Sequence, residues 1–516
     1  MSSKTPPQSA IPRIVDEDMM HSDAVNIIFG MKLRQARMEA NLSLSELASR
    51  ADLSPSYVTE IEKGRKYPKS DKIFKIAQVL GKTYDELVSI KLSPALTDLE
   101  SMLASPLLRQ FPFEEFDLDI NDLIGLLTRA PDKASALLHA VFEIARQYDM
   151  KDEHFLRAAL RSYQELHDNY FPELESAAAD FARRHGLHGS MPVSLEALTD
   201  IICNHYDYRL DDTRLADYPQ LKGYRAVFFE GQPPTLLLNP TLYPLQRKFL
   251  LARELGYAFL GIKERSHTST PDRVESFRQV FNDFRASYFA GALLMPQERI
   301  VHDLREFFGQ ERWDPAPLQQ MLITYDVTPE MLLYRFSEIV PQFFGASLHF
   351  LRFHNANGEY QLIKRLNMNR LLLPSGIGLH EHYCRRWLSS RLLMNLGERQ
   401  STDVISGLPL VDVQMSEFLE SKERFLCIGF ARPLVLTPNV GSSVIVGFRM
   451  TNELKNTIRF ASDPTIPVTV INETCERCPL TLDQCSVRSA PPTILLQNEA
   501  KEERRQALGR LQHSLN

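Results

Sequence analysis

The sequence predicts a multidomain protein, mainly α at its N-terminus and α+β beyond it. Three observations predict this. At 516 residues the chain far exceeds a usual domain of roughly 100–200 residues, which points to three or four domains. From Phe29 to about Leu187 apolar residues recur at helical spacing, as in Leu137, Leu138, Val141, Ile144 and Ala145, and no Gly occurs between Leu126 and Gly186. From about Gly189 strand-like runs enter. RAVFFEG and TLLLNP read as two strands joined at Gln232-Pro233-Pro234. Ser347 to Phe353 and Glu359 to Leu366 flank Asn355-Ala356-Asn357-Gly358, and an Asn-Gly turn between such runs is a strong antiparallel hairpin signal. RFLCIGFA and SSVIVGFRM add two further strands. Leu245 to Leu260 and Val274 to Leu294 read as long helices, the second stopped by Met295-Pro296.

In chain order, residues 1–24 form a disordered leader and 29–91 a compact helical domain. Residues 92–187 follow as a helical linker and dimerisation region. Residues 189–300 and 301–490 are two α+β domains, and 491–516 is a charged tail in which Asn498 to Leu511 reads as a charged helix or a frayed tail.

Composition excludes several classes. Hydrophobic residues are 44% and charged residues 24%, ordinary for a globular protein. Net charge is −6 and the pI about 6.2, so the whole chain is no basic nucleic-acid coat. Six cysteines are too few for a disulfide scaffold. The longest uncharged run, Pro433 to Phe448, is interrupted by Pro438, Asn439, Gly441 and two serines, which excludes a membrane span. The first twenty residues carry acids and no apolar stretch, so no secretory signal is read and a cytoplasmic location is expected.

Residues 42–68 carry the clearest chemistry. Ser43 and Glu46 form a capping box that starts a helix, with Leu44, Leu47 and Ala48 as its apolar stripe. Ala51-Asp52-Leu53 makes a short turn. Ser54 caps a second helix that has Pro55 in its first position. Val58 and Ile61 point inward, Gly64 ends the helix, and basic residues follow. A helix inserted in the major groove needs short polar side chains near its start to reach base edges and cations near its end to hold phosphates. The expected DNA-binding residues are Ser43, Ser54, Ser56, Tyr57, Thr59, Glu60, Lys63, Arg65 and Lys66. Residues 29–91 hold 12 Lys or Arg and 8 Asp or Glu, so this segment is +4 and the remaining chain −10. A basic module on an acidic body suits a DNA reader. The alternative is a helical bundle whose charged face is merely solvated.

The segment resembles the lambda-repressor-like (Cro/repressor) family over five helices, through Met31 to Arg37, Leu42 to Ala48, Ser54 to Gly64 and Ile73 to Leu87. The resemblance implies a homodimer on a double-stranded, pseudo-palindromic operator. Many members carry Gln where this chain has Leu44, so one familiar polar contact is missing.

Gln246 to Tyr257 resembles the metallopeptidase helix of the ImmA/IrrE type, and Ala286 to Pro296 its second helix. That family's H-E-x-x-H places two histidines one turn apart to bind Zn²⁺, with Glu as general base. Here the histidine positions hold Arg253 and Tyr257, and only Glu254 remains. A guanidinium cannot ligate Zn²⁺ and repels it. The expectation is a retained peptidase fold without catalytic residues, Arg253 and Glu254 being surface or structural.

Cys475, Cys478 and Cys485 stand within eleven residues. Cys-x-x-Cys lets two thiolates meet one ion, and the third is a short loop away, so an iron-sulfur cluster or zinc is expected, against a surface turn with incidental thiols. Cys203, Cys384 and Cys427 each read as packed core residues. Taken together with Cys384-Arg-Arg-Trp387 and the hairpin from Ser347 to Leu366, the chain resembles the bacterial short-chain fatty acyl transcriptional regulators. That implies a non-enzymatic regulator of fatty acid, propionate or glyoxylate-type metabolism, with an acyl-CoA effector and, in some members, an iron-sulfur cluster. The last cysteine spacing is six residues where four is commoner in that family, and Asn452 stands where a further cysteine is expected. Two other readings remain: a metal-dependent peptidase with a DNA-binding module, and an iron-sulfur or zinc redox sensor.

Overall fold

The computed structural model describes residues 26, 29–30, 32–62, 64–89, 114–116, 152–189, 191–269, 274–371, 380–401, 409–437 and 439–515. The 1–24 leader, Lys63 and most of the 92–151 segment lie outside the described residues. The chain divides into two compact units, Met1–Met150 and Lys151–Asn516.

In the first unit a helical run at 32–39 precedes α1 (Leu44–Arg50), α2 (Pro55–Glu62), α3 (Ser70–Leu80) and α4 (Tyr84–Val88). Each start has a local cause. Ser43 accepts from the Glu46 backbone while Glu46 reaches back to the Ser43 N–H, and Thr83 with Glu86 does the same before α4. Between α1 and α2 the chain reverses through Asp52, whose φ of 57° is left-handed, a conformation a short polar side chain tolerates. Leu33, Leu47, Val58, Ile61, Ile73 and Ile76 are fully buried in one apolar core.

The second unit opens with α5 (Asp152–Leu166), α6 (Pro172–Arg184) and α7 (Leu195–Asp200). A three-stranded sheet follows, in the order β1 (Arg209–Asp211), β3 (Thr235–Leu238), β2 (Ala226–Phe229), with β1 parallel and β2 antiparallel to β3. Five helices come next: α8 (Pro244–Phe259), α9 (Phe277–Leu294), α10 (Gln297–Phe308), α11 (Ala316–Tyr325) and α12 (Pro329–Phe344). The expected domain boundary between 300 and 301 falls inside α10, because Ile300, Val301 and Leu304 belong to one apolar core that runs on into the second sheet. The α5–α6 pair likewise joins this unit rather than a separate linker.

The second sheet has the order β5-β4-β8-β7-β6-β9: β4 (Leu348–Ala356), β5 (Glu359–Asn367), β6 (Leu410–Phe418), β7 (Arg424–Pro433), β8 (Val440–Arg449) and β9 (Val468–Ile471). It is antiparallel except for the β6–β9 pair. The strand period of two splits its side chains cleanly. Leu348, Phe350, Ile428, Phe430, Val444 and Val446 face α12 and the larger core. Leu351, Phe353, Cys427 and Ile445 face α13 (Leu388–Ser401) and a second core. A short α14 (Asn452–Thr457) and the terminal α15 (Thr493–Leu515) complete the unit; α15 is longer at both ends than the expected Asn498 to Leu511. No helix among the described residues is long and apolar enough to cross a membrane.

A buried charge network ties α6 to α12. The Arg335 guanidinium donates to both Glu175 oxygens at 2.7 and 2.8 Å and to Glu338 at 2.8 Å, while the Tyr288 hydroxyl donates to Glu175 at 2.7 Å. Burial pushes the Glu338 carboxyl up to about 8 despite Arg335 beside it. Removing the cation leaves carboxyl groups without their partner inside the core. Arg335→Met is therefore expected to destabilise this unit by about 3–5 kcal/mol, read as the shift of its unfolding midpoint in urea at neutral pH.

Candidate functional site: the helix-turn-helix face, the Glu254 centre and the cysteine cavity

Three assemblies hold the residues singled out in the sequence. The first is the surface around α2. Ser54 accepts from the Tyr57 backbone N–H at 3.2 Å and its hydroxyl lies 3.2 Å from that of Ser56. Val58 and Ile61 are fully buried. This rotation leaves Ser43, Ser54, Ser56, Arg65 and Lys66 exposed and Tyr57, Thr59 and Glu60 half-buried. Several of these are already engaged within the fold, and Arg65 and Glu60 pair with each other at 3.7 Å. Thr59 donates to the Pro55 carbonyl at 2.9 Å, and the Tyr57 ring lies under the Lys72 ammonium at 4.2 Å, with Lys66 at 6.0 Å. Lys72 was not among the expected residues; only the folding back of α3 brings it to the start of α2.

The α2 helix is held from behind. Arg37 donates to both Glu62 oxygens at 2.6 and 2.9 Å and to the Leu42 carbonyl at 2.8 Å. Gly30 packs against the end of α2 so closely that an added Cβ would stand 2.4 Å from the Ile61 carbonyl oxygen. Neither residue was picked out in the sequence.

The second assembly is the former peptidase centre. Gly256 lets α8 cross α9 closely, since a Cβ there would lie 2.9 Å from the Phe289 ring. Glu254 is 1% exposed, which corrects its expected surface alternative and leaves the structural one. Both its oxygens accept from Arg265, each at 2.6 Å. The Arg265 guanidinium also lies 3.7 Å from the Tyr257 ring and 4.0 Å from the Phe228 ring. Burial alone would lower the Arg265 pKa, but Glu254 beside it raises it. The Tyr257 hydroxyl donates to Asp283 at 2.6 Å, and Asp283 also accepts from the Ser266 N–H at 3.0 Å. The residues do not fit a zinc ion: an arginine already neutralises the glutamate, and the two ligand positions hold another arginine and a tyrosine. Arg265 was invisible in the sequence because no periodicity links it to α8.

The third assembly is the cysteine loop. Cys384, Cys475, Cys478 and Cys485 line one small cavity together with Arg385, Arg386 and Arg488. Cys384 is buried in the second apolar core, as expected, and it also lines this cavity beside the other three. The reason is backbone pairing: Cys384 N–H donates to the Glu473 carbonyl at 3.2 Å, and Cys475 N–H to the His382 carbonyl at 2.8 Å. Burial pushes the Cys384 thiol up to about 11, against backbone N–H groups of Asn472 and Arg386 that pull it down. Ser489 N–H points at the Cys475 sulfur at 3.5 Å. Arg488 ties the loop by donating to the carbonyls of Cys475 at 2.8 Å, Ala490 at 2.9 Å and Leu480. Among the described residues no group of three or more His, Cys, Asp or Glu side chains is placed to hold a single metal ion. Cys203 and Cys427 lie elsewhere, and Asn452 begins α14.

A helix-turn-helix module on a chain whose peptidase-type domain lacks metal ligands defines a DNA-binding regulator class. Residues 33–87 match the helix-turn-helix family, and residues 211–337 the IrrE N-terminal-like domain family. The HTH-type transcriptional regulator RamB of Mycobacterium tuberculosis is 25% identical over 353 residues, spanning 63% of this chain and 68% of RamB. Control protein C.BamHI of Bacillus amyloliquefaciens is 38% identical over 58 residues, 11% of this chain and 72% of C.BamHI. Among solved structures, a Mycobacterium tuberculosis transcriptional regulator aligns with 64% of this chain and 92% of its own at 16% identity, with a TM-score of 0.43. The chain belongs to the Cro/lambda-repressor-like helix-turn-helix family and is a DNA-binding transcriptional regulator carrying an IrrE-like domain.

The close approach at Gly30 yields a direct check. Gly30→Ala forces a methyl into a backbone carbonyl, and such overpacking costs about 1–3 kcal/mol. The variant is expected to lose affinity for DNA in gel-shift titration in parallel with a lowered melting temperature of the first unit.

Proposed function

We propose that this protein is a sequence-specific, one-component regulator that grips a pseudo-palindromic operator as a homodimer through α2. The carrying observation is the outer face of that helix, with exposed Ser54 and Ser56 at its start and exposed Arg65 and Lys66 just past its end. Ser56 and Tyr57 read base edges, Arg65 and Lys66 hold phosphates, and Ser43 caps the helix that crosses the backbone. Lys63, on the same stretch, is assigned to the phosphates by its place in the sequence alone. Lys72 joins them because it stands over Tyr57.

The second unit controls this contact. The resemblance to short-chain fatty acyl regulators supports a short-chain acyl-CoA effector and target genes of fatty acid, propionate or glyoxylate-type metabolism. Effector binding shifts the protein between DNA-competent and incompetent arrangements by its differential affinity for the two. The chain has no peptidase role, because Glu254 is committed to Arg265.

The cysteines are read as a cofactor site of four thiols rather than three: Cys384, Cys475, Cys478 and Cys485. The donor set fits an iron-sulfur cluster, which four thiolates hold; the N–H groups aimed at the sulfurs and the three nearby arginines suit its negative charge. A single tetrahedral zinc needs all four sulfurs within about 2.3 Å of one point and fits the present placement less well.

Two experiments test these readings. In gel shifts on the protein's own promoter fragment, Lys66→Ala should weaken binding to every duplex and reduce the salt slope by about 1. Ser56→Ala should instead alter preference at one base pair by ~1–3 kcal/mol; equal losses on promoter and random DNA would refute its contact with a base edge. For the cysteines, anaerobically purified protein should be brown and contain iron and sulfide, and Cys384→Ser should bleach it as fully as Cys478→Ser. Undiminished colour in Cys384→Ser would return the site to three thiols.

A further inference from the structure

The α12-facing side of the large sheet is apolar along most of its length and then changes character at one end. On β4 the same-face series Leu348, Phe350 continues as Arg352 and His354; on β7, Ile428 and Phe430 give way to Arg432; on β8, Val446 and Val444 give way to Ser442. Register makes these a patch: Ser442 stands opposite both His354 and Arg432, and Arg352 donates to the Ser442 hydroxyl at 3.3 Å. The first turn of α12 brings Glu330, which accepts from Arg432 at 2.9 and 3.1 Å. Two more guanidinium groups approach from the peptidase-type domain, Arg225 just before β2 and Arg253 on α8. Burial lowers the Arg225 pKa, and the positive charges of Arg352, Arg253 and Arg432 lower it further, with Glu330 opposing. His354 is held down to about 4, by burial first and then by Arg352, so it is neutral at pH 7.

The arithmetic is four guanidinium charges against the one carboxylate among the groups that act on Arg225, an excess of +3. All four arginines are partly withdrawn from water. Arg253 Nε and His354 Nε2 are buried with no hydrogen-bond partner. Elsewhere in this unit, buried Arg265 and Arg335 are each matched by carboxylates. Crowded like charges with unsatisfied donors are costly unless an anion completes them.

We propose that Arg225, Arg253, Arg352 and Arg432, with His354 and Ser442, form a binding site for a phosphate-bearing small molecule. Guanidinium forks match phosphate oxygens in bidentate fashion, and the single carboxylate of Glu330 is shared between Arg432 and Arg352, which leaves the charge of Arg225 and Arg253 for the ligand. The site deepens the effector reading, since it would hold the anionic end of the controlling metabolite, and it rests on that reading only for its regulatory consequence.

The test uses the full-length protein and inorganic pyrophosphate at constant ionic strength, followed by calorimetric titration and by thermal shift. Saturable binding with a raised melting temperature is expected. Arg225→Gln combined with Arg253→Gln should weaken it by roughly tenfold or more, while the ligand-free variant melts no lower than wild type because a repulsion has been removed. Arg225→Lys retains the charge without the fork and should show intermediate affinity. Broadening of the pyrophosphate ³¹P resonance by wild-type protein needs no variant at all. Orthophosphate as a second titrant separates a site for one phosphate group from one for two. Absence of saturable pyrophosphate binding, or unchanged binding in the double variant, would overturn the proposal. Pyrophosphate binding alongside an acyl-CoA that leaves DNA affinity unchanged would uphold this site and remove the effector reading instead.

Discussion

The Arg265–Glu254 pair sets the character of the second unit. A carboxylate at the centre of a helix pair, 1% exposed, requires a compensating cation. In a metallopeptidase a metal ion supplies positive charge beside the equivalent glutamate and water reaches it. Here a guanidinium supplies the charge from within the chain, clamped between the Tyr257 and Phe228 rings. The exchange has two consequences. The glutamate can no longer collect a proton from water, and the contact between α8 and the β2 region becomes independent of metal supply. The pair is therefore an internal tie between α8 and the segment carrying Arg265.

The same logic runs through the unit and exposes its exception. Arg335 is met by Glu175 and Glu338, Arg265 by Glu254, Arg477 by Glu381 and Glu473. Buried Arg385 departs from this habit singly, stacked on Tyr360 and donating to the Gly358 carbonyl; Arg225, Arg253 and Arg352 depart from it as a group. Arg253 itself stands at the first histidine position of the resembled H-E-x-x-H motif and also adds its positive charge to the neighbourhood of Arg225.

How far the sequence was legible depended on whether the cause of a feature was local. The α2 cap at Ser54, the inward Val58 and Ile61, and the β4–β5 hairpin at Asn357-Gly358 follow from neighbours within a few residues, and the structure has them. The strands β1, β6 and β9 were missed: β1 is only three residues long, and β6 reads LVDVQMSEF, with polar Gln414 and Ser416 buried in the middle of the sheet, which hides the alternation a strand usually displays. Gln414 is tolerated there because it donates to Ser416 and to the Arg386 carbonyl. Arg265, Lys72, Gly30 and the fourth cysteine were missed for another reason. Each acts on a partner far along the chain, such as Cys384 on Cys475, and spacing rules hold no information about which loops fold together.

Strand β4 bears on how the two candidate ligand sites of the second unit relate. Arg352 and His354 lie on its α12-facing side, in the cationic patch. Phe353, between them, points to the opposite side and packs edge-on against Tyr383 and Trp387 at 5.1 and 6.0 Å. Those two rings flank Cys384, and the Trp387 indole N–H is fixed to the Asn472 carbonyl at 2.7 Å, within the cysteine loop's own partner segment. One strand therefore carries, on successive residues, the wall of the arginine patch and the support of the cysteine cavity. Because side chains on a strand alternate and packed interiors transmit displacement, a shift of the β4 backbone at Arg352 would carry Phe353 with it against the Tyr383 and Trp387 rings. Phe353 is fully buried in the same apolar core as Tyr383, Cys384 and Trp387, so such a shift is felt on the cysteine side of the sheet.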